Sequence, residues 1–224
     1  MLKFDKGTHS YRNVYTEEEY ISATTLIGKF KKKFDTEYHA KKAADKEGVT
    51  PEEIKERWKK INAESKVRGS NIHEAVDMFN KTGDKDPQYE ALLNSLESLN
   101  AYDREKSKCE TLVYNHNFKI AGTADCIEDL GNVFNVYDFK TNKKFNLYSP
   151  YKSYFLDPVS HLSECEYNMY SLQLSLYAFM YQSMTGKRVG KLGILYLDAD
   201  NKFNLYHSPY LLTDIRNILN YAKN

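Results

Sequence analysis

Gly122-Thr123-Ala124-Asp125 and, one turn later, Asp138-Phe139-Lys140-Thr141 decide how this chain is read. Residues 118–128 and 133–140 are rich in Ile, Val, Phe, Tyr and Thr and read as strands, with Gly131-Asn132 between them as a two-residue hairpin turn. If Leu130 pairs with Val133, the register sets Asp125 opposite Asp138, with Cβ atoms about 4.5–5.5 Å apart on one face. Carboxylates that close repel unless a cation sits between them, and the two-residue period brings Lys140 to the same face, opposite Thr123. Two carboxylates and a lysine converging on one point are what a divalent metal and an attacking water require. The bland alternative is a pair of surface carboxylates bridged by Lys140, and the two roles of the lysine are compatible.

Outward from this hairpin, the chain supplies a helical first half. Helical spacing begins after Ser22, and a second short helix is expected over about 36–47, ended by Gly48. Thr50-Pro51-Glu52-Glu53 is an N-cap, a proline in the first turn and a capping-box Glu, so a helix starts there with Ile54, Trp58 and Ile61 as its stripe. The pattern runs on through Gly69, His73, Val76 and Phe79 to Thr82-Gly83, and residues 87–100 form another amphipathic helix. Strands are expected at about 109–116, 190–197 and 203–207, with helices over about 164–185 and from about 212. The register of Glu110 depends on its turn. A two-residue turn at His116-Asn117 sets it opposite Thr123 on the metal face, and a one-residue slip turns it away. A lone helical His is usually structural, but Gly69 one turn before His73 signals a close approach by another backbone or a nucleic-acid strand.

The order of these signals resembles the RecB-like exonuclease branch of the PD-(D/E)XK nucleases. Gly69-Ser70-Asn71-Ile72-His73, Glu110, Gly122-Thr123-Ala124-Asp125, Asp138-Phe139-Lys140 and Gln173-Leu174-Ser175-Leu176-Tyr177 follow one another as that branch arranges them. His9-Ser10-Tyr11 and Ser22-Ala23-Thr24-Thr25-Leu26 are similar to the amino-terminal segment of phage-type and mitochondrial-type members. The resemblance implies an α/β (α+β) restriction-endonuclease-like core, a central mixed sheet flanked by helices, with a helical N-terminal portion over about 22–100 and the nuclease core over about 109–207. It implies Mg2+ or Mn2+ held by Asp125, Asp138, His73, Glu110 and the Phe139 carbonyl, with Lys140 on the attacking water and Gln173 and Tyr177 bracing the lysine and the scissile phosphate. Some relatives carry an iron–sulfur cluster held by four cysteines, and Cys109, Cys126 and Cys165 cannot fill one, so no such cluster is expected.

Composition sets further bounds. At 224 residues without a Pro/Gly/Ser-rich linker, the chain is expected to be a single domain over 1–224. It shows no apolar run able to cross a bilayer and no leader, so a soluble cytoplasmic protein is expected, in the host cytoplasm if viral. The net charge of +1 requires any DNA grip to be local. Candidates are Lys31, Lys32 and Lys33, which read equally well as a solvated face, then Lys143 and Lys144 just past the metal strand, and Lys187 with Arg188. Residues 145–163 form a long tyrosine-containing loop in which Tyr151 and Tyr154 either stack on unpaired bases or cover a core edge. The function expected is a metal-dependent exonuclease acting on single-stranded DNA ends, in phage-type replication, recombination or repair. The alternatives are a non-catalytic nucleic-acid-binding module of the same fold and an endonuclease or nickase.

Overall fold

In a computed structural model, residues 2–5, 7–8 and 10–223 are described, and His9 lies outside them. Eight strands form one mixed sheet: β1 (Leu2–Asp5), β2 (Ser10–Asn13), β3 (Glu19–Ser22), β4 (Ser107–Asn115), β5 (Ile120–Asp129), β6 (Val133–Lys140), β7 (Arg188–Leu197) and β8 (Phe203–Ser208). The helices are α1 (Ala23–Gly28), α2 (Thr36–Glu47), α3 (Pro51–Thr82), α4 (Glu90–Ser98), α5 (Glu166–Thr185) and α6 (Leu212–Lys223). β3 runs parallel to β5 and β6 parallel to β7, while the remaining pairs are antiparallel. Parallel pairing of β6 and β7 needs a crossover, and α5 supplies it.

Helices cover both faces. Residues of α1, α5 and α6 pack with Ile120, Ala124, Ile127, Phe134 and Val136 on one side. On the other, Ile72, Val76 and Phe79 of α3 and Leu92, Leu93 and Leu96 of α4 pack with Cys126, Tyr137 and Phe139. α5 is buried on nearly every side, including Ser171, Gln173 and Ser175, because it is sandwiched between the sheet and its neighbouring helices. α3 starts at the expected capping box, in which Thr50 Oγ1 accepts from Glu53 N at 3.2 Å and Glu53 Oε2 accepts from Thr50 N at 2.8 Å. Such a cap contributes about 1 kcal/mol. Its apolar stripe is shorter than the spacing suggests. Ile54 is buried against Ala40 and Ala44 of α2, but Ile61 is exposed, and α3 returns to the core only at Ile72.

The hairpin register is the one read from Gly131-Asn132: Leu130 N donates to Val133 O at 2.9 Å, and the ladder runs from Asp129↔Phe134 to Cys126↔Tyr137. There the ladder stops. β4 occupies one edge of β5 from Ile120 to Glu128, so β6 and β3 share the other edge, β6 at Cys126–Asp129 and β3 at Ile120–Ala121. Between them Gly122–Asp125 face no ladder partner on that edge among the described residues. The sheet therefore forks at the motif that carries Asp125.

Candidate active site

The fork is bridged by a side chain. Asp125 Oδ2 accepts from Phe139 N at 2.8 Å, replacing the strand–strand bond that the ladder omits. The same rung is irregular on β4: Cys109↔Cys126 and Thr111↔Ala124 pair on either side of it, and Glu110 between them has φ 48°, a left-handed conformation sparsely populated by non-glycine residues. Strict alternation is lost here, since Ala124 and Ile127, three apart, both pack on the α5 side. Asp125 turns toward α3, where His73 Nδ1 lies 3.7 Å from its Oδ2. His73, Glu110 and Asp125 each bring a ligand atom within 4.8 Å of the others.

These three line a cavity of about 670 Å3 with Tyr11, Ser22, Ala23, Thr24, Gly69, Gly122, Thr123 and Tyr177. Tyr11 OH and Thr123 Oγ1 are 3.1 Å apart, tying β2 to the motif strand. The Ser22–Thr24 segment is held by its own cap, Ser22 Oγ accepting from Thr25 N at 3.0 Å.

Asp138 lies behind this cluster. It is fully buried, its Oδ1 accepts from Gln173 Nε2 at 3.1 Å, and its Oδ2 meets Lys140 Nζ in an ion pair without a well-directed hydrogen bond. Burial pushes its pKa up to about 7; Lys140 opposes that shift and the Asp125 charge adds to it. Burial works against the Lys140 charge as well, yet Asp138 and Asp125 outweigh it and hold the ammonium above its ordinary value. The Lys140 ammonium stands 4.7 Å over the Tyr170 ring, whose hydroxyl donates to Asn142 Oδ1 at 2.9 Å.

Several expectations are corrected by this arrangement. Asp138, expected on the same face as Asp125, instead bonds Gln173 of α5, while the broken rung turns Asp125 toward His73 of α3. Glu110 stands across from Asp125 rather than Thr123. The β4–β5 turn uses four residues, His116 to Lys119, with Asn115 Oδ1 accepting from Asn117 N at 3.1 Å and from Phe118 N at 3.3 Å. Gln173 Nε2 donates to Asp138 Oδ1 and to the Tyr177 hydroxyl, the latter at 3.0 Å, so its hydrogen bonds reach the lysine's ion-pair partner. The group close to Gly69 is the chain's own Thr141, whose Oγ1 would lie 3.2 Å from a Cβ there. The first half of the chain carries three N-terminal strands that the sequence reading left out.

The basic and aromatic candidates separate. Lys143 and Lys144 are exposed just past β6, and Lys32 and Lys33 are exposed, while Lys31 Nζ contacts Met169 Sδ at 3.6 Å near the start of α5. Tyr151 is 88% and Tyr154 51% exposed, whereas Phe155 and Val159 of the same loop are buried in the core. Lys187 and Arg188 are not brought to the site. Val133 pairs with Arg188 and Lys140 with Tyr196, so they lie at opposite ends of β6, roughly 20 Å apart along a strand. Lys187 is moreover bound to Asp129 Oδ1 at 2.6 Å.

Two carboxylates, an imidazole and a buried carboxylate oxygen lacking a hydrogen-bond donor suit a divalent cation with oxygen-rich ligation. The profile of the PD-(D/E)XK nuclease superfamily matches residues 37–216. The chain belongs to this superfamily. PD-(D/E)XK nucleases use divalent metals, and the mixed sheet with flanking helices is the architecture of the fold. No curated protein sequence matches the chain. Among solved structures it is similar to SSO0001, at 16% identity and TM-score 0.43 over 94% of this chain and 77% of that one. It is also similar to a Eubacterium rectale protein described as a "Putative exonuclease", at 13% identity and TM-score 0.44 over 100% of this chain and 84% of that one. No helix of the described residues is long and apolar enough to cross a membrane.

Proposed function

We propose that this PD-(D/E)XK chain is an exodeoxyribonuclease of the RecB-like branch, built as one nuclease domain, that degrades single-stranded DNA from its ends in replication, recombination or repair. The observation that carries the nuclease chemistry is the convergence of His73, Glu110 and Asp125 within 4.8 Å in a cavity of about 670 Å3 backed by the Asp138–Lys140 pair. In this reading His73, Glu110 and Asp125 hold Mg2+ or Mn2+, with Asp138 and the Phe139 carbonyl as further ligands. When bound, such an ion polarises the scissile phosphate and lowers the pKa of a water.

The remaining tasks fall to the chain. Lys140, kept charged by Asp138 and Asp125, is suited to stabilise negative charge developing on the phosphate and to orient the water for in-line attack. Gln173 fixes Asp138, and the Tyr170 ring fixes the lysine, so both reacting-side groups are held before substrate arrives. Substrate preference rests on the segment after β6. Tyr148 and Tyr151 are 80% and 88% exposed in a segment that also carries the exposed Lys143, Lys144 and Lys152, a combination suited to stacking on bases that only an unpaired strand presents.

End-labelled linear and circular single strands incubated at equal concentration in Mg2+ and in Mn2+ test this. Linear strands should disappear and circles persist. Equal loss of both would make the protein an endonuclease, loss of duplex circles alone a nickase, and DNA binding without cleavage in either metal a non-catalytic module.

A further inference from the structure

Cys109 and Cys126 are directly opposed on β4 and β5, one rung from Glu110 and Asp125. Both lie on the α3 face, where Cys126 belongs to the cluster with Ile72 and Val76 and Cys109 packs against that cluster. Opposed antiparallel residues have Cα atoms about 4.5–5.5 Å apart, inside the roughly 4.4–6.8 Å that a disulfide spans. Access is asymmetric. Cys126 is fully buried, whereas Cys109 is partly exposed and borders a surface cavity of about 730 Å3 lined also by Lys81, Arg104 and Lys108. The third thiol, Cys165, is remote from the pair at the start of α5, where its Sγ donates to Leu147 O at 3.3 Å.

We propose that Cys109 and Cys126 are an oxidative modification site, closing to a reversible cross-strand disulfide that weakens metal binding on the adjoining rung. With hydrogen peroxide as the two-electron oxidant, Cys109 sulfur attacks one peroxide oxygen. The O–O bond breaks, the thiol becomes a sulfenic acid, and one water leaves with the thiol proton. Cys126 sulfur then displaces the sulfenic hydroxyl. The S–S bond forms as the S–O bond breaks, and the Cys126 proton leaves with the hydroxyl as a second water. A dithiol reverses the change by thiol–disulfide exchange.

The rung beside the pair is mechanically soft. Closing the bond holds both cysteine side chains in the one geometry an S–S link allows and restrains the backbone of the two strands at this rung. That backbone contains Glu110 at φ 48° and the Asp125 position where the β5–β6 ladder has already ended. Metal ligands held by this backbone depend on its setting, and disturbing the groups that support such ligands typically costs about 10–100-fold in metal affinity. The disulfide stands on the cysteine geometry alone, while its effect on metal binding rests on the metal-centre reading above.

The test treats the whole protein with hydrogen peroxide, maps peptides without reductant, and measures Mn2+ affinity by calorimetry in the absence of DNA. The expected result is a Cys109–Cys126 cross-linked peptide lighter by two hydrogens, with Mn2+ affinity at least about tenfold weaker and restored by dithiothreitol. Cys109→Ser and, separately, Cys126→Ser should bind Mn2+ like the unsubstituted protein before treatment, and Cys109→Ser should keep that affinity after it. Two variants are used so that a folding defect in either leaves the other as control. Sulfinic or sulfonic acid at Cys109 without a cross-link, or a cross-link with unchanged Mn2+ affinity, would overturn the proposal. Failure of the reduced protein to bind Mn2+ would instead remove the metal centre itself, and the control of it along with it.

Discussion

Gly122 lies against Tyr177 so closely that a Cβ on the glycine would overlap ring atom Cε1. The two residues belong to different motifs, one on β5 and one on α5, and the missing side chain is what lets the phenol reach Gln173 at 3.0 Å and, through it, Asp138 at 3.1 Å. The glycine is thus a packing requirement of the site's hydrogen-bond chain. Its strand needs no unusual φ here.

Gly122→Ala should therefore destabilise the fold by about 1–3 kcal/mol, the usual cost of overpacking, and lower cleavage by loosening Asp138. In a Tyr177→Ala background the same change should cost under about 0.5 kcal/mol, because the overlapping ring is gone. Urea unfolding of the four proteins in the cycle checks this. An equal penalty in both backgrounds would mean that the clash is not what requires glycine.

Asp125 and Asp138 should part company in the metal-free protein. Asp125→Ala removes the acceptor of the Phe139 N–H and should lower stability by about 1–3 kcal/mol. For Asp138→Asn the reading is the pH dependence, since a fully buried carboxylate is the costly species at neutral pH. The sign follows from the folded pKa of about 7 against an ordinary value of 3.8. Between those values the folded chain holds a proton that the unfolded chain has released, so stability is fully present below about 4 and is lost as pH rises to about 7. In EDTA the stability of the wild type relative to Asp138→Asn should fall over that window by a few kcal/mol and level off above it. A pH-independent difference between the two would contradict the assignment. Both substitutions should abolish cleavage.

Much of this site is legible in the sequence, and the illegible remainder has identifiable causes. Gly131-Asn132 fixed the β5–β6 register because a two-residue turn admits one pairing, and the Thr50–Glu53 capping box located the start of α3. The four-residue turn at His116–Lys119 is not signalled by a glycine: Lys119 itself takes φ 49°, and Asn115 accepts the turn amides. The irregular rung at Glu110 and Asp125 includes a left-handed torsion at Glu110, which no period of two records. β1 to β3 have only four residues each and mix polar with apolar side chains, so their pattern is too short to register, though they bury Leu2, Tyr11 and Tyr20 against Ala121. Tyr170 was missed because its contact with Lys140 joins two elements and leaves no spacing signature.

Lys140→Ala should lower kcat far more than it raises KM, because the ammonium is held for charge that develops in the transition state. The same substitution leaves the buried Asp138 without its ion pair and should cost about 3–5 kcal/mol of metal-free stability at pH above 7. Turnover is compared with single-strand affinity under saturating metal, where the fold is supported. A defect confined to KM would make Lys140 a phosphate clamp.

The last expectation separates two basic regions that composition alone treats alike. Tyr148 and Tyr151 are exposed in the segment that follows the strand bearing Lys140, a segment that also holds the exposed Lys143 and Lys144, whereas Lys187 and Arg188 lie at the Val133 end of that strand, with Lys187 bound to Asp129. An unpaired strand entering the cavity should stack on the tyrosines, each contact worth about 1–3 kcal/mol. Replacing Tyr148 and Tyr151 by Ala should weaken single-strand binding about tenfold or more while duplex binding stays near its starting value. Lys187→Ala with Arg188→Ala should leave single-strand affinity within about twofold. Fluorescence anisotropy with labelled single-stranded and duplex oligonucleotides in Ca2+, at two salt concentrations, distinguishes them. A larger loss from the Lys187 and Arg188 pair than from the tyrosines would put the strand on the opposite end of the sheet and remove the basis for a single-strand preference.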